Sequence, residues 1–279
     1  MNALETHEFI INSHRGVFRS GMLENSIPAY VEALKQGANV LECDIRRTKD
    51  DHVVLIHNKT IDGIAKHAIS VPDPSEFNEA PTGSVREHTI AFLKAIKYNE
   101  DAEILTLDEF LGFLKEHQVG AQIELKESGF ENVLIDKIRT AAIDHDGLKA
   151  PIVFTSFFWP SIVKFQKLLW KSELPKFDFF NNKKGVCAGL QALPIGSFLG
   201  PWLLRQCRKK YIWGFMTYYK YIPASRISYA HECGVKFCPR VPDDETLVLS
   251  YINASVDGFE TDNVPFIKEC IQKAGYSFP

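Results

Sequence analysis

No stretch of this 279-residue chain is rich enough in Ser, Gly and Pro, or in charge of one sign, to act as a linker. A single domain over 1–279 is therefore expected, and α/β barrels reach this size as one unit. Positive charge is not in excess either: 32 Lys and Arg face 35 Asp and Glu, for a formal net charge of −3 and a pI near 6.3. That balance excludes nucleic acid as an expected partner, because its backbone is gripped by clustered Lys and Arg. The opening MNALETHEFIINSHRG has no basic segment followed by a long apolar stretch and a small-residue cleavage site. A secretory signal is thus not visible, and a cytoplasmic location is expected. The six cysteines, at 43, 187, 207, 233, 238 and 270, contain no CxxC pair, which reads as reduced thiols in preference to disulfides or a zinc site. Solenoid repeats and low-complexity tracts are missing as well.

What is there is enough apolar material, 45% of residues, to build a sizeable core. It is arranged as short apolar runs alternating with helical patterns: 9–12, 39–45, 52–57, 121–125, 151–157, 235–238 and 256–260 read as strands. Between the first two lies a helix with readable ends. Ser26 can cap it, Pro28 suits its first turn, Ala29, Ala33 and Leu34 form the apolar stripe, and Gly37 can take the left-handed stop. Further helices are expected from Thr106 or Asp108 towards Gly120, over 130–145 with Gly147 as stop, and over 225–233 ending at Gly234. The repeated strand–helix unit favours a parallel sheet closed into a (β/α)8 barrel. Segment 178–222 is the least regular and has room for one or two strands. Within it, 186–204 carries no charge and is followed by Arg205, Arg208, Lys209 and Lys210. Its length approaches that of a membrane span, but Pro194, Pro201 and three glycines weaken that reading. It is expected to be a buried strand plus loop, with weak contact to lipid as the alternative.

Glu42 and Asp44 stand two apart on one strand, so both carboxylates enter the same space while Cys43 points the other way. Two acids in an apolar strand repel and suffer desolvation unless a cation neutralises them, and a hard divalent metal does so economically. Glu124 can add a third oxygen ligand from another strand, with Lys126 on its face. His14 and His57 each close an expected strand, the position from which a barrel site is assembled. Two imidazoles can serve as acid and base in one displacement. Arg15 offers a fork of donors suited to phosphate oxygens. A lone E-x-D is more often a surface pair and a lone His more often structural, and His7, His52, His67, His88, His117, His145 and His231 keep that bland reading. Convergence of His-Arg, Glu-x-Asp, His and Glu-x-Lys at successive strand ends argues against accident.

The stretch from Ser13 to Gly63 carries His-Arg-Gly, Glu-Asn-Ser, Gly-Ala, Glu-x-Asp, Thr-x-Asp and Val-x-x-His. It resembles the N-terminal signature of the glycerophosphodiester phosphodiesterase family, with weaker echoes in ILTLDEFL, QIELK, FTSF, AHECGVKF and VDGFETDN. The resemblance implies a (β/α)8 barrel that holds a divalent metal ion, Ca²⁺ or Mg²⁺, and hydrolyses glycerophosphodiesters to an alcohol and glycerol 3-phosphate. It further implies His14 and His57 as the acid/base pair, Glu42, Asp44 and Glu124 as metal ligands, and Arg15 and Lys126 as phosphate contacts. Two departures stand out. Asn58 replaces the acid that usually follows the second histidine, and CPRVPDD at 238–244 replaces a Trp-Thr-Val-Asn segment. Phe157, Phe158, Trp159, Trp202 and Trp213 are then candidates for an aromatic wall, with core packing as their commoner role. Rival expectations are lysophospholipase-D-like or phospholipase-C-like hydrolysis of a lipid phosphodiester, and a non-catalytic phosphodiester-binding module.

Overall fold

The computed structural model describes residues 9–17, 22–68, 70–71, 73–98, 102–143, 148, 150–175, 186–192, 212–218 and 222–277. Nine strands form its sheet: β1 (Ile10–Ser13), β2 (Val40–Arg47), β3 (Val53–Leu55), β4 (Gly120–Leu125), β5 (Ile152–Thr155), β6 (Val186–Ala192), β7 (Ile212–Tyr218), β8 (Lys236–Arg240) and β9 (Gly258–Thr261). The sheet order is β1-β9-β8-β7-β6-β5-β4-β2-β3, and β1 also pairs with β2. The eight strands other than β3 therefore close into a ring, and every pairing within that ring is parallel. This is the expected α/β barrel, whose C-terminal strand ends all open on one face.

One strand expected in that ring is not there. The 52–57 run supplies β3, which lies antiparallel on the end of β2 with Leu55 opposite Ile45 and Val53 opposite Arg47. Only five residues separate Arg47 from Val53, too few for the helical crossover that a parallel neighbour needs, so the chain folds back as a hairpin. His57 accordingly follows this outlying strand, not a barrel strand. The hairpin roots a small annex made of α2 (Asp62–His67), α3 (Pro74–Phe77), a 3₁₀ turn at Val85–Glu87 and α4 (Ile90–Ala95). Val54, Ile56, Ile61, Val85, Phe92, Leu93, Ile96 and Ile104 give the annex an apolar cluster distinct from the main core.

The helices that cover the barrel are α1 (Ile27–Gln36), α5 (Leu107–His117), α6 (Glu131–Ala141), α7 (Trp159–Lys171), α8 (Ala224–Glu232), α9 (Glu245–Asn253) and α10 (Val264–Lys273). Their sequence signals act largely as expected. Ser26 accepts the Ala29 N–H, and Gly37 closes α1 at φ +102°. Thr106 and Glu109 form a reciprocal capping box on α5. The stop differs there: Gln118 takes the left-handed turn at φ +51°, and Gly120 opens β4, where a Cβ would lie 2.6 Å from the Cβ of Ala150. Helix α6 is shorter than the expected 130–145, ending at Ala141 with Ala142 left-handed; Gly147 falls outside the described residues. In 178–222 two strands, β6 and β7, complete the ring. The uncharged 186–204 run thus begins as a barrel strand, and its remainder, with Trp202, lies outside the described residues. No helix among the described residues is long and apolar enough to cross a membrane. Among the described residues, Cys43, Cys187, Cys233, Cys238 and Cys270 are buried free thiols; Cys207 lies outside them.

Candidate active site

The turn after β1 determines where the first functional groups point. Arg15 and Gly16 are both left-handed, at φ +56° and +75°, so the chain reverses directly behind His14. Gly16 is needed for space as well: a Cβ there would stand 2.8 Å from the backbone carbon of Ala29. The reversal aims the Arg15 N–H at Glu42 Oε2, 3.0 Å away. Its guanidinium places Nη1 3.0 Å from Glu24 and Nε 3.0 Å from Asp44. The Glu-Asn-Ser segment then has three separate uses: Glu24 orients Arg15, Asn25 Nδ2 donates to Asp44 Oδ2 at 3.4 Å, and Ser26 caps α1. Tyr30, fully buried on α1, donates to Asn25 Oδ1 and holds it there.

Register puts the acids side by side, because Asp44 on β2 pairs with Glu124 on β4. Ligand oxygens of Glu42, Asp44 and Glu124 all lie within 4.8 Å of one another, and all three residues are buried. Lys126 Nζ ion-pairs both Glu124 and Asp44, the latter at 2.9 Å. Burial, reinforced by Asp44, Glu260 and Glu124, pushes the Glu42 carboxyl well above the usual carboxylate range. Burial also opposes the Asp44 charge, yet Lys126 and Arg15 hold that carboxyl below its ordinary value. The same acids outweigh desolvation at Lys126, which keeps its proton more firmly than a free lysine.

This donor set fits a hard divalent cation. The three carboxylates, with Glu260 near Glu42, outnumber Arg15 and Lys126. Among the described residues, Asp44 Oδ1 has no well-aligned hydrogen bond, even with Lys126 at ion-pair distance. Three buried carboxylates gathered this closely are the all-oxygen donor set that Ca²⁺ and Mg²⁺ both take.

The two histidines are oriented differently. His14 is buried just past β1, with Nδ1 2.8 Å from Asp262 Oδ1 and Nε2 2.9 Å from Arg240 Nη1. A guanidinium can only donate, so Nε2 is the acceptor and Nδ1–H donates to Asp262. Burial notwithstanding, His14 and Arg240 hold the Asp262 carboxyl down at about 2. His57 is half-buried beyond β3; its Nδ1 lies 3.0 Å from Asn58 Oδ1, and Arg46 donates twice to its carbonyl. Desolvation, aided by Arg15 and Lys126, pushes the His57 ring below its ordinary value, while Asp44 and Asn58 oppose it.

All seven residues singled out from sequence therefore sit on the C-terminal face of the barrel or its adjoining hairpin, five of them in one charge cluster. Sequence reasoning passed over Asp262, Arg240 and Glu260. The strand-end rule already used for His14 would have found Arg240, the last residue of β8, and Asp262, directly after β9. Of the proposed aromatic wall, Phe157 and Phe158 are exposed at 44% and 54% beyond β5, whereas Trp159 packs against the main core. The side chain of Trp213 is outside the described set.

The sequence model of the glycerophosphoryl diester phosphodiesterase family matches residues 14–179, more than half of the chain. The chain belongs to that family. A Mycobacterium tuberculosis relative named "Probable glycerophosphodiester phosphodiesterase 1" is 27% identical over 162 residues, 53% of each protein, so the match takes in about half the length of that relative. A glycerophosphodiester phosphodiesterase of Caldanaerobacter subterraneus subsp. tengcongensis is 24% identical over 278 residues, covering 95% of this chain and 99% of its own. Among solved structures, an Oleispira antarctica phosphodiesterase in complex with the product sn-glycerol-3-phosphate superposes with a TM-score of 0.70 at 20% identity, covering 94% of this chain and 96% of that one. A Thermotoga maritima glycerophosphodiester phosphodiesterase superposes at 0.63 with 21% identity, covering 94% and 98%. At these identities the structural likeness speaks for the barrel fold.

Proposed function

We propose that this chain hydrolyses glycerophosphodiesters to an alcohol and glycerol 3-phosphate. The observation that carries the reading is the meeting of Glu42, Asp44, Glu124, Arg15 and Lys126 in one buried charge cluster flanked by His14 and His57. Glu42, Asp44 and Glu124 would hold a divalent ion, Ca²⁺ or Mg²⁺, which when bound supplies positive charge to the phosphoryl oxygens. Arg15 and Lys126 add to that charge and align the phosphate for in-line displacement. The hydroxyl vicinal to the phosphate attacks phosphorus; one histidine takes its proton and the other protonates the departing alkoxide. Water then opens the resulting cyclic phosphate with the two roles exchanged. Acid/base assistance of this kind is worth roughly 10² to 10⁴ in rate.

The test is release of glycerol 3-phosphate from a panel of glycerophosphodiesters, with and without chelator, by wild type, His14→Ala and His57→Ala. Metal-dependent product that disappears in both variants, with folding intact, supports the reading. Near-normal turnover in either variant overturns the acid/base pair, and tight binding without product would make the chain a binding module. One observation favours a second reading. Phe157 and Phe158 form an exposed apolar pair at the C-terminal end of β5, placed where an acyl chain could lie. Lysophospholipid hydrolysis that Phe158→Ser impairs, with glycerophosphocholine turnover unaffected, would establish the lipid substrate.

A further inference from the structure

We infer that Arg240 is an additional phosphate-positioning residue, held on His14 until an anion draws it away. The inference rests on the reading of His14 as an acid/base residue. Arg240 ends β8 and stands beside Glu260 of β9 in register. Its Nη1 is 2.9 Å from His14 Nε2, and its Nη2 lies 3.2 and 3.4 Å from the two oxygens of Asp262. Glu260 Oε1 flanks Nε at 3.9 Å and is itself fixed by Gln122 Nε2, which in turn links to Asn12 across the barrel interior.

Two consequences follow from geometry. While Nη1 donates to Nε2, the lone pair on that nitrogen is occupied, so His14 can neither accept a hydroxyl proton nor carry one to a leaving group. Proton transfer also requires a substrate oxygen within about 2.6–3.2 Å of Nε2. An oxygen at that point meets the guanidinium that already touches the same atom. It must either displace Nη1 or bind it, and for a cationic donor an anionic phosphate oxygen is a stronger acceptor than a neutral ring nitrogen, because both partners are then charged and the planar fork matches paired phosphate oxygens. The Nη2 contacts to Asp262 can persist while Nη1 moves, because the fork donates in two directions at once. With its side chain 23% exposed, against 6% for His14, Arg240 is reachable from the open face. On this view the segment 238–244, a departure from the family pattern, supplies a third cation for the phosphate and ties His14 activity to phosphate occupancy.

The experiment combines ¹⁵N-histidine NMR with steady-state kinetics. In wild type without ligand, the His14 signals should show protonated Nδ1 and hydrogen-bonded Nε2. Addition of sn-glycerol 3-phosphate or inorganic phosphate should change the Nε2 shift, and glycerol should not. Arg240→Gln should raise both KM and the inhibition constant for sn-glycerol 3-phosphate by about tenfold or more, as expected for loss of a charged hydrogen bond, with kcat changed less than threefold. Arg240→Lys should fail to restore the inhibition constant, because an ammonium lacks the fork. A wild-type Nε2 shift indifferent to both anions, or unchanged KM and inhibition constants in folded Arg240→Gln, would overturn the inference with the hydrolytic reading intact. Absence of turnover in wild type would instead remove the reading on which it rests. The wild-type NMR arm decides the matter even if Arg240→Gln does not fold.

Discussion

Replacing Glu42 by Gln tests the cation site through a change of sign. The side chain is 1% exposed and shares a 4.8 Å cluster with Asp44 and Glu124. At that separation and an effective permittivity of about 20, two carboxylates repel by roughly 3.5 kcal/mol. Arg15 and Lys126 offset much of this, leaving on the order of 1 to 2 kcal/mol of strain in the metal-free protein. The strain appears either as repulsion or as the proton that Glu42 retains. Glutamine keeps the shape and the acceptor for the Arg15 N–H while removing the charge. In chelator, Glu42→Gln should therefore melt higher than wild type by roughly 2–8 °C, at about 2–4 °C per kcal/mol for a chain of comparable size. With Ca²⁺ or Mg²⁺ the order should reverse. A cation at about 100 times its dissociation constant stabilises wild type by roughly 2.7 kcal/mol, and loss of one charged ligand with about a hundredfold fall in affinity leaves only about 0.4 kcal/mol of that gain, enough to reverse the order. Scanning fluorimetry across a metal titration reads both effects without reference to turnover. A lower melting temperature for Glu42→Gln in chelator, or a cation-induced rise equal to that of wild type, would refute the argument.

Three further outcomes are expected. The His57 ring is pushed below its ordinary value near 6.5 mainly by burial, so the limb of the kcat/KM profile that reports it should lie below pH 6.5; Asn58→Asp puts a carboxylate on Nδ1, favours the imidazolium and should move that limb to higher pH, whereas a stationary limb would sever the link. Asp262→Asn gives His14 Nδ1 an amide that can turn its N–H towards the ring and stabilise the wrong tautomer, so kcat/KM should fall by roughly 10² to 10³; the contacts with His14 and Arg240 that hold this carboxyl down are lost as well, so the urea midpoint at neutral pH should also fall, and activity within threefold of wild type would count against the tautomer argument. Gly16→Ala meets both the left-handed φ and the Ala29 backbone, and should cost on the order of 2 kcal/mol in urea unfolding while also lowering activity by displacing Arg15; a variant as stable and active as wild type would contradict the turn geometry.

Much of the site was legible because barrel chemistry is local in sequence at each strand end. Period-2 spacing alone put Glu42 and Asp44 on one face, and strand-end position flagged His14 and Glu124. Legibility failed where the answer depended on pairing between distant segments. Nothing in 52–57 says whether that strand joins the ring or folds back; the short span from Arg47 decides it. Arg240 and Asp262 stand at strand ends, yet their partnership with His14 could not be read, because it arises only when β8, β9 and β1 lie side by side, bringing together residues 226 and 248 positions apart from it. Glycine misled in the opposite way: Gly120 looks like a helix stop but serves the close approach of β4 to Ala150, and Gln118 accepts the left-handed turn.

The two departures from the family pattern both change what the imidazoles face, at Nδ1 of His57 and at Nε2 of His14. At His57 the neighbouring position carries an uncharged acceptor, so the ring is oriented through Nδ1 without a carboxylate at that contact to compensate an imidazolium. At His14 the carboxylate is present in Asp262, but a guanidinium from the altered 238–244 segment faces the opposite nitrogen. A charge at either ring is thus balanced differently from an Asp-His pair with an open Nε2, and the dication would add repulsion to any imidazolium nearby. On the proposed reading, phosphate binding beside both histidines is the step at which the two rings gain a shared anionic neighbour.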